Sequence, residues 1–278
     1  MKSHELQAYH KHLTDVYDKR SLNHDKSDWH RSTALKLADE LTPRVGDYIL
    51  DVGTGTGTIA FHAASLVGPN GKVIGVDISE GMLEQARKKL TSSVCKNIEF
   101  QYADMENLDF PQDTFDKIYC ANALFCILRP LQTLKHWHRL IKPGGALAFH
   151  AIPETSFFWV SLARDVLAEH GFEYALNTPT GSYEKTQQLL EEAGFTNYEI
   201  KVEEKGSFVP LENAKRSWIK RDEFAPGQYP HPVHAVPEEI YLECQAEYEK
   251  RIEALATQDG VWNDVTMYYV CALKDECA

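Results

Sequence analysis

The sequence predicts an α/β fold, doubly wound about a mostly parallel sheet, and three observations predict it. Short apolar runs that read as strands alternate with helical patterns across residues 48–150. The first run, Tyr48-Ile49-Leu50-Asp51-Val52, passes directly into a turn carrying Gly53, Gly55 and Gly57. The strand runs are apolar nearly throughout, as strands covered on both faces are. Alternation at this spacing means crossover connections and parallel pairing.

Each element follows from local chemistry. Residues 1–45 read as polar helices, with Leu35, Leu37, Ala38 and Leu41 set between charges and Pro43 as the stop. After the first strand, 59–67 reads as a helix closed by Gly68-Pro69-Asn70-Gly71. A strand at 72–77 and a helix at 81–90 follow, then strands at 97–102 and 115–121 and a helix at 131–141. Pro143-Gly144-Gly145 turns the chain into a fifth strand at 146–150. Residues 183–193 read as a helix with Gly194 as its stop. Two more strands are expected at 198–203 and 265–273. Between them, 206–258 is too long for a hairpin, so it carries its own structure or acts as a lid. Pro237 opens a helix whose apolar stripe is Ile240, Cys244, Tyr248, Ile252 and Leu255.

Composition narrows the function. A chain of 278 residues allows one large domain or a domain with a cap, at about one domain per ~150 residues. The expectation is a single domain over 1–278. No apolar run reaches the ~18–20 residues of a membrane helix, and residues 1–18 lack the apolar stretch of a secretory signal. The formal charge is -12, and an acidic surface repels a polyanion, so nucleic acid is not the expected partner. Cys95, Cys120, Cys126, Cys244, Cys271 and Cys277 form no CxxC pair, which fits reduced thiols in the cytoplasm.

The chemistry concentrates at the glycine turn. Its spacing is G-x-G-x-G, not the G-x-G-x-x-G of dinucleotide sites. Asp51 stands immediately before it, where a pyrophosphate is repelled and a ligand bearing ammonium and sulfonium charges is attracted. Asp77 ends the second strand, where a carboxylate takes both hydroxyls of a ribose. Asp104 follows the third strand, where it faces an adenine edge. Either acid also suits a helix cap.

These residues resemble the class I S-adenosylmethionine-dependent methyltransferases, in the branch related to ubiquinone/menaquinone methyltransferases. The motifs are the glycine turn, Asp77-Ile78-Ser79, Ala103-Asp104-Met105, the Phe115-Asp116 strand ending near Asn122, and Leu140-Ile141-Lys142-Pro143-Gly144-Gly145. The resemblance is strong over 45–150 and loose in the flanks. It implies a Rossmann-like sheet of seven strands whose last strand is antiparallel. S-adenosylmethionine is the implied cofactor. Asp77 would hold the ribose, Ile78 and Met82 would sandwich the adenine, and Asp104 and Met105 would read its edge. Asn122, with Asp51, Gly53, Thr54 and Gly55, would hold the methionine portion. Residues 46–150 form the cofactor-binding core on this reading. Ala121-Asn122-Ala123-Leu124 departs from the Asn-Pro-Pro-aromatic tetrad of enzymes that methylate exocyclic amines. No metal-ligand spacing is evident, and the default mechanism is metal-free.

The expected reaction is O-, C- or N-methylation of a small acceptor with an apolar or ring portion. His150 ends the fifth strand, on the ligand side of such a sheet, and is the candidate base; the alternative is a hydrogen-bonded histidine lining the pocket. Tyr17, Trp29 and His30 are substrate-side candidates in a helical lid at 1–45, and Phe158 in an aromatic wall after the fifth strand. Trp218, Tyr229, His231 and His234 are the candidate contacts of an acceptor-capping insertion at 206–258. Three rival classes share the core: a dehydrogenase, a nucleic-acid methyltransferase, and a non-catalytic cofactor-binding subunit.

Overall fold

The computed structural model describes residues 3–26, 28–174, 178–221 and 232–276. Two helices come first, α1 (Ser3–Ser21) and α2 (Asp28–Glu40). The alternating core follows as β1 (Tyr48–Val52), α3 (Thr58–Val67), β2 (Lys72–Asp77), α4 (Glu80–Ser92), β3 (Ile98–Tyr102), β4 (Phe115–Cys120), α5 (Pro130–Leu140) and β5 (Ile141–Ala151). Then come α6 (Phe158–Glu169), α7 (Tyr183–Ala193), β6 (Asn197–Glu203), β7 (Gly206–Val209), α8 (Leu211–Lys215), α9 (Glu238–Leu255), β8 (Val261–Asp264) and β9 (Met267–Leu273).

Seven strands form one sheet in the order β3-β2-β1-β4-β5-β9-β6. The pairings from β3 through β5 are parallel, while β9 runs antiparallel to both β5 and β6. The seven-stranded sheet with an antiparallel last strand is therefore present. The chain winds outward in opposite directions from β1 and β4, which leaves a crevice at their carboxyl ends.

Both faces of the sheet are buried. Leu37, Ala63 and Leu83 cover one face from α2, α3 and α4. Trp137, Leu190 and Phe195 cover the other, on the side of α5 and α7. Each covering helix buries an apolar stripe, and the central strands β1, β2, β4, β5 and β9 are buried over most of their length, while the edge strands β3 and β6 expose polar residues.

Three expectations shift. Pro143-Gly144-Gly145 does not precede the fifth strand but interrupts it: Phe115 pairs with Ile141, and regular pairing resumes at Lys117 with Ala146. Buried Lys274 fills the irregularity, donating to the Ile141 carbonyl at 2.8 Å. The last strand starts at Met267, because Val261–Asp264 pairs with Gly206–Val209 in a separate two-stranded sheet. That sheet brackets the insertion. Finally, α6 lies where the sequence offered only an aromatic cluster.

The insertion has a core of its own with α6. Phe158, Val166 and Leu167 pack with Trp218, Cys244, Tyr248 and Ile252. Of the expected stripe on α9, Cys244, Tyr248 and Ile252 are fully buried, and Leu255 is exposed.

Candidate active site

A cavity of about 550 Å³ opens at the carboxyl ends of β1, β2 and β4. Small-molecule sites span roughly 300–1,000 Å³. Its walls include every residue expected at the cofactor: Asp51, Gly53, Thr54, Gly55, Asp77, Ile78, Met82, Asp104, Met105 and Asn122.

The glycine turn is shaped for close approach. Gly53 sits at φ +66°, and a Cβ there would stand 2.7 Å from Ala123 Cβ. Gly55, at φ +54°, faces open space, with nothing nearer a built Cβ than a His24 ring atom at 3.9 Å. A ligand can therefore touch the backbone at Gly55.

Two carboxylates brace this turn, Asp51 buried and Asp77 half-buried. Asp51 Oδ2 accepts from Thr54 Oγ1 at 2.6 Å and from the Ala60 amide at 3.1 Å. Asp77 Oδ2 accepts from the Gly55 amide at 2.8 Å, and Oδ1 from the Ser79 amide at 2.9 Å. Burial pushes Asp51 up to about 7 and Asp77 up to about 6, against the pull of these hydrogen bonds. Neither acid has a cationic side chain among the groups shifting it. Asp104 accepts from the Glu106 amide at 2.9 Å, so it also ties its own turn.

Helix α1 roofs the cavity. Tyr9, Leu13 and Tyr17 face it from successive turns and pack around Ile78 and Cys126. Tyr9 Oη donates to the Cys126 carbonyl at 2.6 Å, and Thr14 Oγ1 donates to the Ile78 carbonyl at 3.2 Å. Asp18 Oδ1 accepts from Ser79 Oγ at 2.6 Å and from the Gly81 amide at 2.9 Å. The spacing of Tyr9, Leu13 and Tyr17 was the available signal for this roof: three apolar positions four apart in a helix rich in charged and polar residues. Arg20, Asn23, Phe125 and Cys126 also line the cavity, and of these Asn23 and Phe125 carried no signal in the sequence.

Not every substrate-side candidate reaches the cavity. Tyr17 and His30 line it. Trp29 stands behind His30, its ring centroid 4.9 Å away. His150 corrects the expectation of a base: it is buried behind Asn122 and is not part of the wall. Its Nδ1 lies 2.8 Å from Asn122 Oδ1 and 3.2 Å from the Asn122 amide. Burial pushes it down to about 3, so it stays neutral. Phe158 and Trp218 belong to the core of the insertion, because each finds apolar partners there. His234 bonds the Arg221 carbonyl within the insertion and does not line the cavity. Tyr229 and His231 lie outside the described residues.

Asn122 takes φ +53°, a left-handed conformation that asparagine tolerates better than most residues. Its Nδ2 lies 3.0 Å from Thr33 Oγ1. Strand β4, strand β5 and helix α2 thus meet at one cavity-lining side chain.

A family model described as a methyltransferase domain matches residues 44–194. The chain belongs to the methyltransferase-domain family. Among curated relatives of this methyltransferase-domain protein, a demethylmenaquinone methyltransferase of Symbiobacterium thermophilum is 37% identical over 145 residues. That match covers 48% of this chain and 56% of the relative. An aklanonic acid methyltransferase, DauC of a Streptomyces species, is 32% identical over 51% of this chain and 66% of its own length. The matched region thus spans little more than half the length of these relatives. The YcgJ protein of Bacillus subtilis shares the fold, with a TM-score of 0.56 at 19% identity over 89% of this chain and 99% of that one. These relatives support the class I, S-adenosylmethionine-dependent branch of the family. Its cofactor fits the residues present: a cradle open at Gly55, a carboxylate at the end of β2, and, among the described residues, no cationic side chain among the groups shifting Asp51 or Asp77. Among the described residues no cluster of three or more His, Cys, Asp or Glu is placed to hold a metal ion, and no helix is long and apolar enough to cross a membrane.

Proposed function

We propose that the protein is an S-adenosylmethionine-dependent methyltransferase acting on a small-molecule acceptor with an apolar, ring-containing portion. One observation carries the reading: ten residues scattered from 51 to 122 converge on a single roofed cavity at the switch point of the sheet. Relatives named for demethylmenaquinone and aklanonic acid support an acceptor of that type.

The bound cofactor would supply an electrophilic methyl group on a sulfonium. Asp77 would take the ribose hydroxyls, with Ile78 and Met82 against the adenine and Asp104 and Met105 at its edge. Asp51 and the backbone from Gly53 to Gly55 would hold the methionine portion, with Asn122 closing that end. The two carboxylates favour a cationic ligand because no cationic side chain is among the groups shifting either of them. Most of the rate would come from alignment of donor and acceptor in a site closed to water. We assign the lid role to residues 1–45, chiefly α1, and the acceptor wall to Tyr17, His30 and Phe125. None of the described residues of 206–258 lines the cavity. For a phenolic or acidic acceptor, the imidazoles lining the cavity that could take a proton are His10, His24 and His30, and burial lowers the pKa of His24 and His30.

The test is calorimetric titration with S-adenosylhomocysteine and with NAD, then incubation with methyl-labelled cofactor and reduced quinone or hydroxy-aromatic acceptors. Tight binding of the first ligand and label transfer are expected. Equal affinity for NAD would point to a dehydrogenase. Binding without transfer to any acceptor in a cell extract would point to a non-catalytic subunit.

A further inference from the structure

A second chamber, of about 500 Å³, shares His24, His30 and Thr58 with the wall of the first. The two imidazole rings, 5.1 Å apart between centroids, stand at the partition. Helix α2 contributes Arg31 and Leu35, one turn apart on the same face, and α3 contributes Phe61 and His62. Lys89, on α4, also lines the chamber.

The charge of this chamber opposes that of the protein. The chain carries -12 overall, yet this wall holds the cations Arg31 and Lys89 against a single carboxylate, with the imidazoles of His24, His30 and His62 beside them. That carboxylate is already engaged. Asp25 Oδ1 accepts from Thr56 Oγ1 at 2.6 Å, and Oδ2 pairs with Lys89 Nζ at 2.8 Å. Arg31 has no ion-pair partner among the described residues. His62 Nε2 is buried without a hydrogen bond, 3.8 Å from an Asp39 oxygen. Beside these polar groups, Phe61 and Leu35 offer apolar surface. A guanidinium fork matches a carboxylate bidentately, and a planar ring suits the phenyl and leucyl faces.

We infer that this chamber is a binding site for an aromatic carboxylate, with Arg31 taking the carboxylate and Leu35 and Phe61 taking the ring. The inference stands on the chamber alone and does not depend on methyl transfer. A ligand seated there would lie against His24 and His30, the back wall of the first cavity.

The probe is 2-naphthoate, with the neutral 2-naphthamide as its isostere, titrated calorimetrically into the full chain. Saturable one-site binding of naphthoate is expected, with affinity lower by about tenfold or more for naphthamide. Arg31→Gln changes an exposed side chain, so the fold survives, and it should weaken naphthoate by a similar factor. Leu35→Trp should fill the chamber and block naphthoate while sparing S-adenosylhomocysteine, because Leu35 does not line the first cavity. Failure of the wild-type protein to bind naphthoate would overturn the inference. So would unchanged affinity in Arg31→Gln, or competition by S-adenosylhomocysteine that places the probe in the first cavity.

Discussion

Asp18 Oδ1 lies 2.6 Å from Ser79 Oγ, and Ser79 in turn caps α4 by accepting from the Met82 amide at 3.1 Å. A carboxylate on the first helix therefore completes the N-terminus of the helix that follows Asp77. Gly81 makes the approach possible, since a Cβ there would stand 3.0 Å from the Asp18 backbone. The roof of the cavity and its floor share one hydrogen-bonded joint.

Loss of that joint should be measurable. Asp18→Ala removes a cap-like acceptor, and caps contribute roughly 0.5–2 kcal/mol. The melting temperature should fall by a few degrees, and α1 should become the first site of tryptic cleavage, at Lys11, Lys19 or Arg20. An unchanged melt and unchanged cleavage would show that α1 is held without this joint, by its apolar face and the hydrogen bonds of Tyr9 and Thr14.

Asp77→Asn should weaken S-adenosylhomocysteine by one to two orders of magnitude. Hydrogen bonds to a charged group contribute roughly 1.5–3 kcal/mol, and 1.4 kcal/mol is about tenfold in affinity. Its amide keeps one acceptor for the Gly55 or Ser79 amide, so the fold should survive, as a thermal melt will report. Affinity equal to wild type would reduce Asp77 to a brace of the turn.

Cofactor binding should depend on pH in a stated direction. Burial raises Asp77 to about 6 and Asp51 to about 7 in the free protein. A raised carboxyl stabilises the fold below its unfolded value, about 4, and that contribution is lost as pH rises through 6 and 7. A cationic ligand reverses the preference, because it favours the ionised acids. S-adenosylmethionine should therefore gain affinity between about pH 5 and about pH 8, releasing protons, and gain more than S-adenosylhomocysteine, whose sulfur is neutral. Calorimetry in buffers of different ionisation enthalpy measures the protons directly; parallel pH curves for the two ligands would refute the assignment.

His150→Gln should leave the shape of the pH–rate profile unchanged, since a histidine pushed down to about 3 does not titrate near neutrality. Glutamine keeps a polar group near Asn122, so cofactor affinity should change little. His150→Leu removes the partner of Asn122 Oδ1 and should raise the KM for the cofactor. Loss of a neutral-range inflection in His150→Gln would restore the histidine as a base.

What could be read in the sequence followed periodicity. Strands β1 to β6 and helices α3, α4, α5 and α7 show the expected strand or helix periodicity, several of them bounded by Gly or Pro, and each lies within two residues of its expected ends, apart from the start of β5. The glycine-turn side of the cavity was legible because backbone chemistry there restricts residue type: Gly53 and Gly55 at positive φ, and Asp77 at a strand end. The aromatic side was not. Aromatic residues serve a cavity wall and a hydrophobic core equally well, and Trp218 and Phe158 went to the core while Tyr17 went to the wall. His150 stands at the expected strand end, but the alternation of a pleated strand decides which side chain enters a cavity and which is walled in. Val261–Asp264 escaped notice because a four-residue strand has too few alternations to be distinguished from a loop.

The position of β9 governs the order of assembly. Met267–Leu273 forms hydrogen bonds with β5 on one side and β6 on the other, so those two strands meet nothing on these flanks until the ribosome has released Leu273. A nascent chain holding residues 1–203 can close the parallel part of the sheet and the first cavity's floor, yet it still carries open strand edges, which are templates for aggregation. Folding would then finish in a single late step, the threading of one strand between two waiting neighbours. A holdase chaperone would have its window between the emergence of Glu203 and the release of Leu273.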